Sequence, residues 1–309
     1  MQDIDERYIS LLTDFGFKRI FGTEPNKDLL ICFLNCLFEG TQKIKDIKYL
    51  NTEQLGESRS DRKAIFDVYC EGENGEKFIV EMQNAYQEFF KDRSIFYSTF
   101  PIREQGKRSE WDFNLSPVYT VALLNFDMKD MSFDAEDLKH LVMLHDSKTK
   151  KVFYDKLQFI YVEISKFNKR EDDLETLFDK WLYVLKNLPK LEKRPAALRE
   201  KIFDRLFKVA EIAKFTQQEL REYEDSRKAY RDLKNSLDTA LRDGFNKGMR
   251  EGMAKGMEEG RAKGMEEGME EGRAKERAEI ASTMLAKGMD IDTVSELTGL
   301  TKDEIQKLI

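Results

Sequence analysis

Apolar and polar residues alternate on both sides of Asn74-Gly75. Before the turn Phe66, Val68 and Cys70 share one face, and after it Phe78, Val80 and Met82 do. Period-two alternation about a glycine-containing turn predicts a β-hairpin with one buried face. The other face carries Ile65, Asp67 and Tyr69, then Ile79, Glu81 and Gln83, so a half-apolar face holds two carboxylates. A two-residue Asn-Gly loop would pair Asp67 with Met82. It would also set the apolar positions of one strand against the polar positions of the other. A three-residue loop, Glu73-Asn74-Gly75, with Gly75 in the left-handed region of a bulge, removes the conflict. Phe66 then faces Met82, Val68 faces Val80, and Asp67 lies across from Glu81.

The same patterning divides the rest of the chain. Asp14 to Gly22 and Lys27 to Phe38 read as short helices, the second strongly apolar. Ile44 to Leu50 reads as a strand, followed by a polar loop, Asn51 to Arg62. Tyr86 to Gln105 predicts a helix whose inward stripe runs Tyr86, Phe90, Arg93, Tyr97, Phe100. Val118 to Leu124 is almost continuously apolar, as in a strand covered on both faces. Leu138 to His145, Lys151 to Tyr154 and Phe159 to Ile164 add strands, and from about Glu171 helical signals dominate. The expected organisation is an α/β core over residues 1–170 and a helical region over 171–240. A glycine-patterned arm over 241–275 and a small helical, helix-turn-helix-like unit over 276–309 complete it.

Composition narrows the class. No apolar run reaches the roughly 18 residues of a membrane span, and the N-terminus is acidic without an apolar signal region, so a cytoplasmic protein is expected. The three cysteines, with Cys32 and Cys36 four apart on a helix, suit reduced core positions, not a disulfide framework. A net charge of −7 argues against a polybasic nucleic-acid coat but leaves room for a local basic groove.

Two carboxylates directly opposed on a hairpin have Cβ atoms about 4.5–5.5 Å apart. They repel unless a proton or cation lies between them, which points to a divalent metal at Asp67 and Glu81. The alternative is a solvated hairpin face, which the apolar neighbours Ile65, Tyr69 and Ile79 disfavour. The hairpin FDVYCEGENGEKFIVEMQ, together with DFGFKRIFG, DRSIFYST and the KGMEEG-type units, resembles the PD-(D/E)XK nuclease superfamily. More narrowly it resembles the recombination-promoting nuclease family, also described as PD-(D/E)XK nuclease family transposases. That resemblance implies a restriction-endonuclease-like α/β fold, a mixed sheet flanked by helices, with a helical C-terminal extension. It also implies cleavage of DNA phosphodiesters dependent on Mg²⁺ or Mn²⁺, with Asp67, Glu81 and the Met82 carbonyl as metal ligands.

The chain departs from the superfamily pattern at Gln83, where a lysine normally orients the attacking water and stabilises developing charge. Glutamine hydrogen-bonds water but supplies no full charge. Lys18, four residues after Asp14 on one helix face, is a stand-in for that lysine or half of a surface ion pair. Arg93 on its aromatic stripe either contacts a phosphate or serves packing and pairing within the fold. His140 and His145 have no cysteine or histidine at ligand spacing and are expected in core or surface roles.

Gly244, Gly248, Gly252, Gly256, Gly260, Gly264, Gly268 and Gly272 recur every fourth residue. In a straight helix that period drifts by about 40° per repeat, and each glycine costs about 1 kcal/mol relative to alanine. The stretch therefore reads as a tethering or self-associating arm, through which the chain would form a homo-oligomer, or as a low-complexity spacer. Ala278 to Ile309 reads as three short helices, with Gly288 ending the first, Asp290 capping the second and Gly299 before the third. Thr301 and Glu304 form a capping box. The last helix offers Lys302, Gln306 and Lys307 beside Asp303 and Glu304, so DNA contact and a small packing unit both stay open. Two functional classes follow: a metal-dependent DNA endonuclease, or a non-catalytic DNA- or protein-binding module on a decayed nuclease fold.

Overall fold

The computed structural model describes residues 6–54, 64–106, 112–128 and 136–308. The chain forms two compact units, Met1–Leu237 and Asp238–Ile309. The first holds a mixed sheet of β1 (Ile47–Tyr49), β4 (Val68–Gly72), β5 (Lys77–Gln83), β6 (Val118–Leu124), β7 (Lys139–His145) and β8 (Val152–Glu163). Their spatial order is β1-β4-β5-β6-β8-β7. β5, β6 and β8 run parallel, while β1, β4 and β7 pair antiparallel. Every residue of β6 is buried, in keeping with its continuous apolar run.

One face of the sheet carries the main core. α1 (Asp14–Phe21), α2 (Lys27–Phe38), α4 (Leu177–Asn187) and α5 (Lys201–Val209) pack on it. Trp181 is fully buried, with its ring centre 5.7, 5.6 and 5.2 Å from those of Phe21, Phe33 and Phe203. The other face is crossed by α3 (Phe90–Gln105). Ser94 of α3 bonds the Tyr161 hydroxyl of β8, and Glu104 accepts from Tyr69 of β4. α3 begins four residues later than expected, and Tyr86 lies outside it, half exposed, against Phe126.

The hairpin has the expected register: Val68 faces Val80 and Glu71 faces Lys77. Gly75, at φ +84°, supplies the left-handed turn residue, and Glu76 braces the loop by accepting from the Asn74 amide. The first strand is shorter than its alternation implies. The chain bends at Phe66–Asp67, and Ala64–Ile65 (β3) leave to pair with Glu53–Gln54 (β2), inside the stretch expected to be loop. The remainder of that loop, from residue 55, lies outside the described residues. Phe66 accordingly does not share a face with Val68; its ring packs on Tyr69, Tyr97 and Phe100 under α3. The two strands expected between Lys151 and Ile164 are one strand, β8.

The helix α6 is assigned over Gln217–Ala286. Its first turns belong to the first unit, where Tyr223 is fully buried and accepts from the Ser10 amide at 3.0 Å. Ser226 accepts from the Phe15 amide at 3.0 Å, and Arg227 pairs with Glu6 at 3.2 Å. In the second unit the glycine-patterned stretch is helical throughout, and a Cβ added at any of its eight glycines meets nothing within 4 Å. The first of the three expected short helices is thus the end of α6. α7 (Ile291–Thr298) and α8 (Lys302–Gln306) follow with the expected caps at Asp290, Gly299 and Thr301. Ala281, Val294 and Ile305 form their small core. No helix among the described residues is long and apolar enough to cross a membrane.

Candidate functional site

The bend at Asp67 is what builds the site. Where β4 ends, the Asp67 carboxylate takes over the ladder: its Oδ2 accepts from the Met82 amide at 2.8 Å. In return the Asp67 amide donates to Glu81 Oε1 at 3.3 Å, and Gln83 Nε2 donates to Glu81 Oε2 at 3.2 Å. The N–H and C=O of one strand residue leave the same strand edge, so the Met82 carbonyl also points to the Asp67 side. Asp67, Glu81, Met82 and Gln83 are therefore together at one end of the β4–β5 pair.

Glu81 is only 5% exposed. Burial, then the neighbouring Asp67 charge, pushes its carboxyl up to about 8. Burial also raises Asp67, against the Met82 amide and the Lys18 charge, which lower it. The pair holds one proton more readily than two negative charges.

Lys18 pairs with Asp14 at 2.7 Å, both half exposed or more, yet its charge reaches both carboxylates. Asp14, noted from sequence only as the partner of Lys18, acts on Asp67 as a third negative charge. Arg93 also favours both carboxylates in their charged form. Its guanidinium lies 5.1 and 5.6 Å from the ring centres of Phe90 and Tyr97, and Nη1 donates to Gln87 at 2.5 Å. Nη2 is buried without a hydrogen-bond partner. Of the histidines, His140 is buried against Glu163 at 2.9 Å, and His145 is exposed.

One polar chain escaped the sequence reading. The Asn125 amide donates to the Gln83 carbonyl at 2.8 Å, and Asn125 Nδ2 lies 3.3 Å from both Asn84 Oδ1 and the Tyr230 hydroxyl of α6. Asn84 in turn donates to the Leu12 carbonyl at 2.7 Å. The available signal was position: Asn84 and Asn125 each follow the carboxyl end of a parallel strand, the edge where open α/β sheets place their sites.

Comparison with known families matches most of the chain. The description "PD-(D/E)XK nuclease family transposase" matches residues 11–240. The chain belongs to this family. Residues 274–309 match the C-terminal helix-turn-helix domain of the Rpn/YhgA-like nuclease family. Neither the curated proteins nor the solved structures give a match. Membership gives the chain a nuclease and recombination-related role.

PD-(D/E)XK nucleases use divalent metal ions, and the donor set here fits one. Two carboxylates and a carbonyl are hard oxygen donors, and no histidine or thiol stands among them. Among the described residues there is no group of three or more acidic, histidine or cysteine side chains that would hold a metal unaided. Mg²⁺ commonly completes so sparse a set with water.

Proposed function

We propose that this member of the PD-(D/E)XK family is a metal-dependent DNA endonuclease that hydrolyses phosphodiester bonds and thereby promotes recombination or element mobility. The observation that carries the reading is the opposed pair of half-buried Asp67 and buried Glu81; burial raises both carboxyls, and the Asp67 charge raises Glu81 further. Asp67, Glu81 and the Met82 carbonyl would hold Mg²⁺ or Mn²⁺. Such an ion lowers the pKa of water and offsets charge building on the phosphate. The Met82 amide fixes Asp67, and Gln83 fixes Glu81 through its side-chain amide, so both carboxylates are oriented before substrate arrives. Gln83 also hydrogen-bonds the attacking water, while Lys18 supplies the positive field that the usual lysine would bring. Arg93, whose Nη1 arm lies at the surface on Gln87, contacts a neighbouring phosphate.

The decayed-nuclease reading draws on two observations. Gln83 is neutral, and Lys18 is held by Asp14. Supercoiled plasmid incubated with purified protein, with and without Mg²⁺, decides between them. Mg²⁺-dependent nicking that disappears in Asp67→Ala supports the endonuclease; intact plasmid under both conditions supports the binding module.

A further inference from the structure

Beside the carboxylate pair the protein leaves aromatic rings in water. Phe89 is 68% exposed, Tyr86 56% and Phe96 42%. Phe89, Arg93 and Phe96 stand at i, i+4 and i+7, one row along α3 and its N-cap. The charge of Arg93 reaches Asp67 and Glu81, and Tyr86 lies three residues beyond Gln83, so the row borders the candidate site.

The chemistry of the row discriminates among nucleic-acid forms. A duplex offers a surface its phosphates and keeps its base faces stacked inside. Exposed Glu88 and Asp92 flank Arg93, so the row offers too little positive charge to hold a duplex by its phosphates alone. An unpaired strand offers base faces and phosphates in alternation. A ring, a guanidinium and a ring along one helix face match that alternation, and the Nη1 arm of Arg93 lies at the surface on Gln87.

We infer that this site takes DNA whose strand is unpaired next to the scissile phosphate, its bases stacking on Phe89 and Phe96 with Arg93 at the phosphate between them. The inference rests on the endonuclease reading for the bond that is cut, and on the exposed row for the form of the substrate.

The test is binding of a fluorescein-labelled oligothymidylate and of a hairpin duplex to the full chain, by anisotropy in EDTA at two salt concentrations. Phe89→Ala and Phe96→Ala should each weaken oligothymidylate binding by about 5- to 150-fold, the usual range for a lost base–aromatic stack. Duplex binding should change by less than about twofold, and the salt slope should hold because no phosphate contact is removed. Phe89→Leu, which keeps apolar bulk without a stacking face, should lose as much as Phe89→Ala, and Phe89→Tyr should retain binding. Equal losses on both ligands, unchanged oligothymidylate affinity, or wild-type binding by Phe89→Leu would overturn the inference. So would a dimer in light scattering that Phe89→Ala dissolves, since the rings would then be covered by a second copy. If the stacking pattern holds but Mg²⁺ yields no cleavage of either DNA, the endonuclease reading alone fails.

Discussion

Replacing Glu81 by glutamine should stabilise the metal-free protein, and only at neutral to alkaline pH. Folding raises the Glu81 carboxyl from 4.5 to about 8. Between those values the folded protein keeps a proton that the unfolded chain has released, so stability falls as pH rises through the window. At 1.36 kcal/mol per pH unit, a rise of about 3.5 sets an upper bound of about 5 kcal/mol lost by pH 8. Water entry and relaxation around a pair at the end of a strand bring the loss below that bound. Glu81→Gln has no such proton to lose and still accepts from the Asp67 amide through its carbonyl oxygen. Urea unfolding, followed by tryptophan fluorescence from buried Trp181, should show a wild-type midpoint that drops from pH 5 to pH 8. The variant midpoint should fall less, because Asp67 alone still titrates, and should lie above wild type at pH 8. Mg²⁺ at pH 8 should raise the wild-type midpoint and leave that of the variant unmoved. A wild-type midpoint that is flat or rises with pH, or a variant less stable than wild type at pH 8, refutes the reasoning.

In plasmid nicking, Asp67→Ala should lose at least about a hundredfold in rate, as expected when a charged transition-state stabiliser is removed, with an unchanged circular dichroism spectrum. Gln83→Lys should cleave faster than wild type and Gln83→Ala slower; equal rates for all three would remove Gln83 from the mechanism. Gly256→Ala and Gly260→Ala add a Cβ in open space. Each should raise helix stability by about 1 kcal/mol by calorimetry; a drop in light-scattering mass in the same variants would show that a second copy packs against these glycines. Truncation before Gly244 should leave a folded unit with wild-type fluorescence, and if the arm drives self-association, the truncated chain should be monomeric.

Much of the site was legible because it is local. Alternation, the left-handed preference of Gly75 and the position of the two acids fix the register of one hairpin, and Asp67 and Glu81 meet as that register requires. The bend at Phe66–Asp67 was not legible, because period-two alternation continues through it. What breaks the strand is the pull of Phe66 toward Tyr97 and Phe100 and the pairing of Ala64–Ile65 with a segment ten residues away. The gap expected in β8 came from its polar Asp155-Lys156, which strand pairing tolerates because Lys156 reaches Asn114 and the Leu115 carbonyl across the surface. The glycine costs predict a marginal helix over 244–272, and the structure has that stretch helical throughout, with strong helix formers between the glycines. The contacts of Asn125 with Tyr230 and of Ser10 with Tyr223 join residues more than a hundred positions apart, and no local pattern encodes them.

That last separation has a consequence for the order of events during synthesis. The segment leading into α1, which brings Lys18 to the acids, is tied down by Tyr223 and Ser226. At about 5–20 residues per second, roughly 10–40 s pass between the appearance of Ser10 and that of Tyr223. Through that interval the hairpin acids can pair while the edge beside them stays unbraced. A ribosome-bound chain is thus held short of a finished candidate site until Tyr223 and Ser226 have been made.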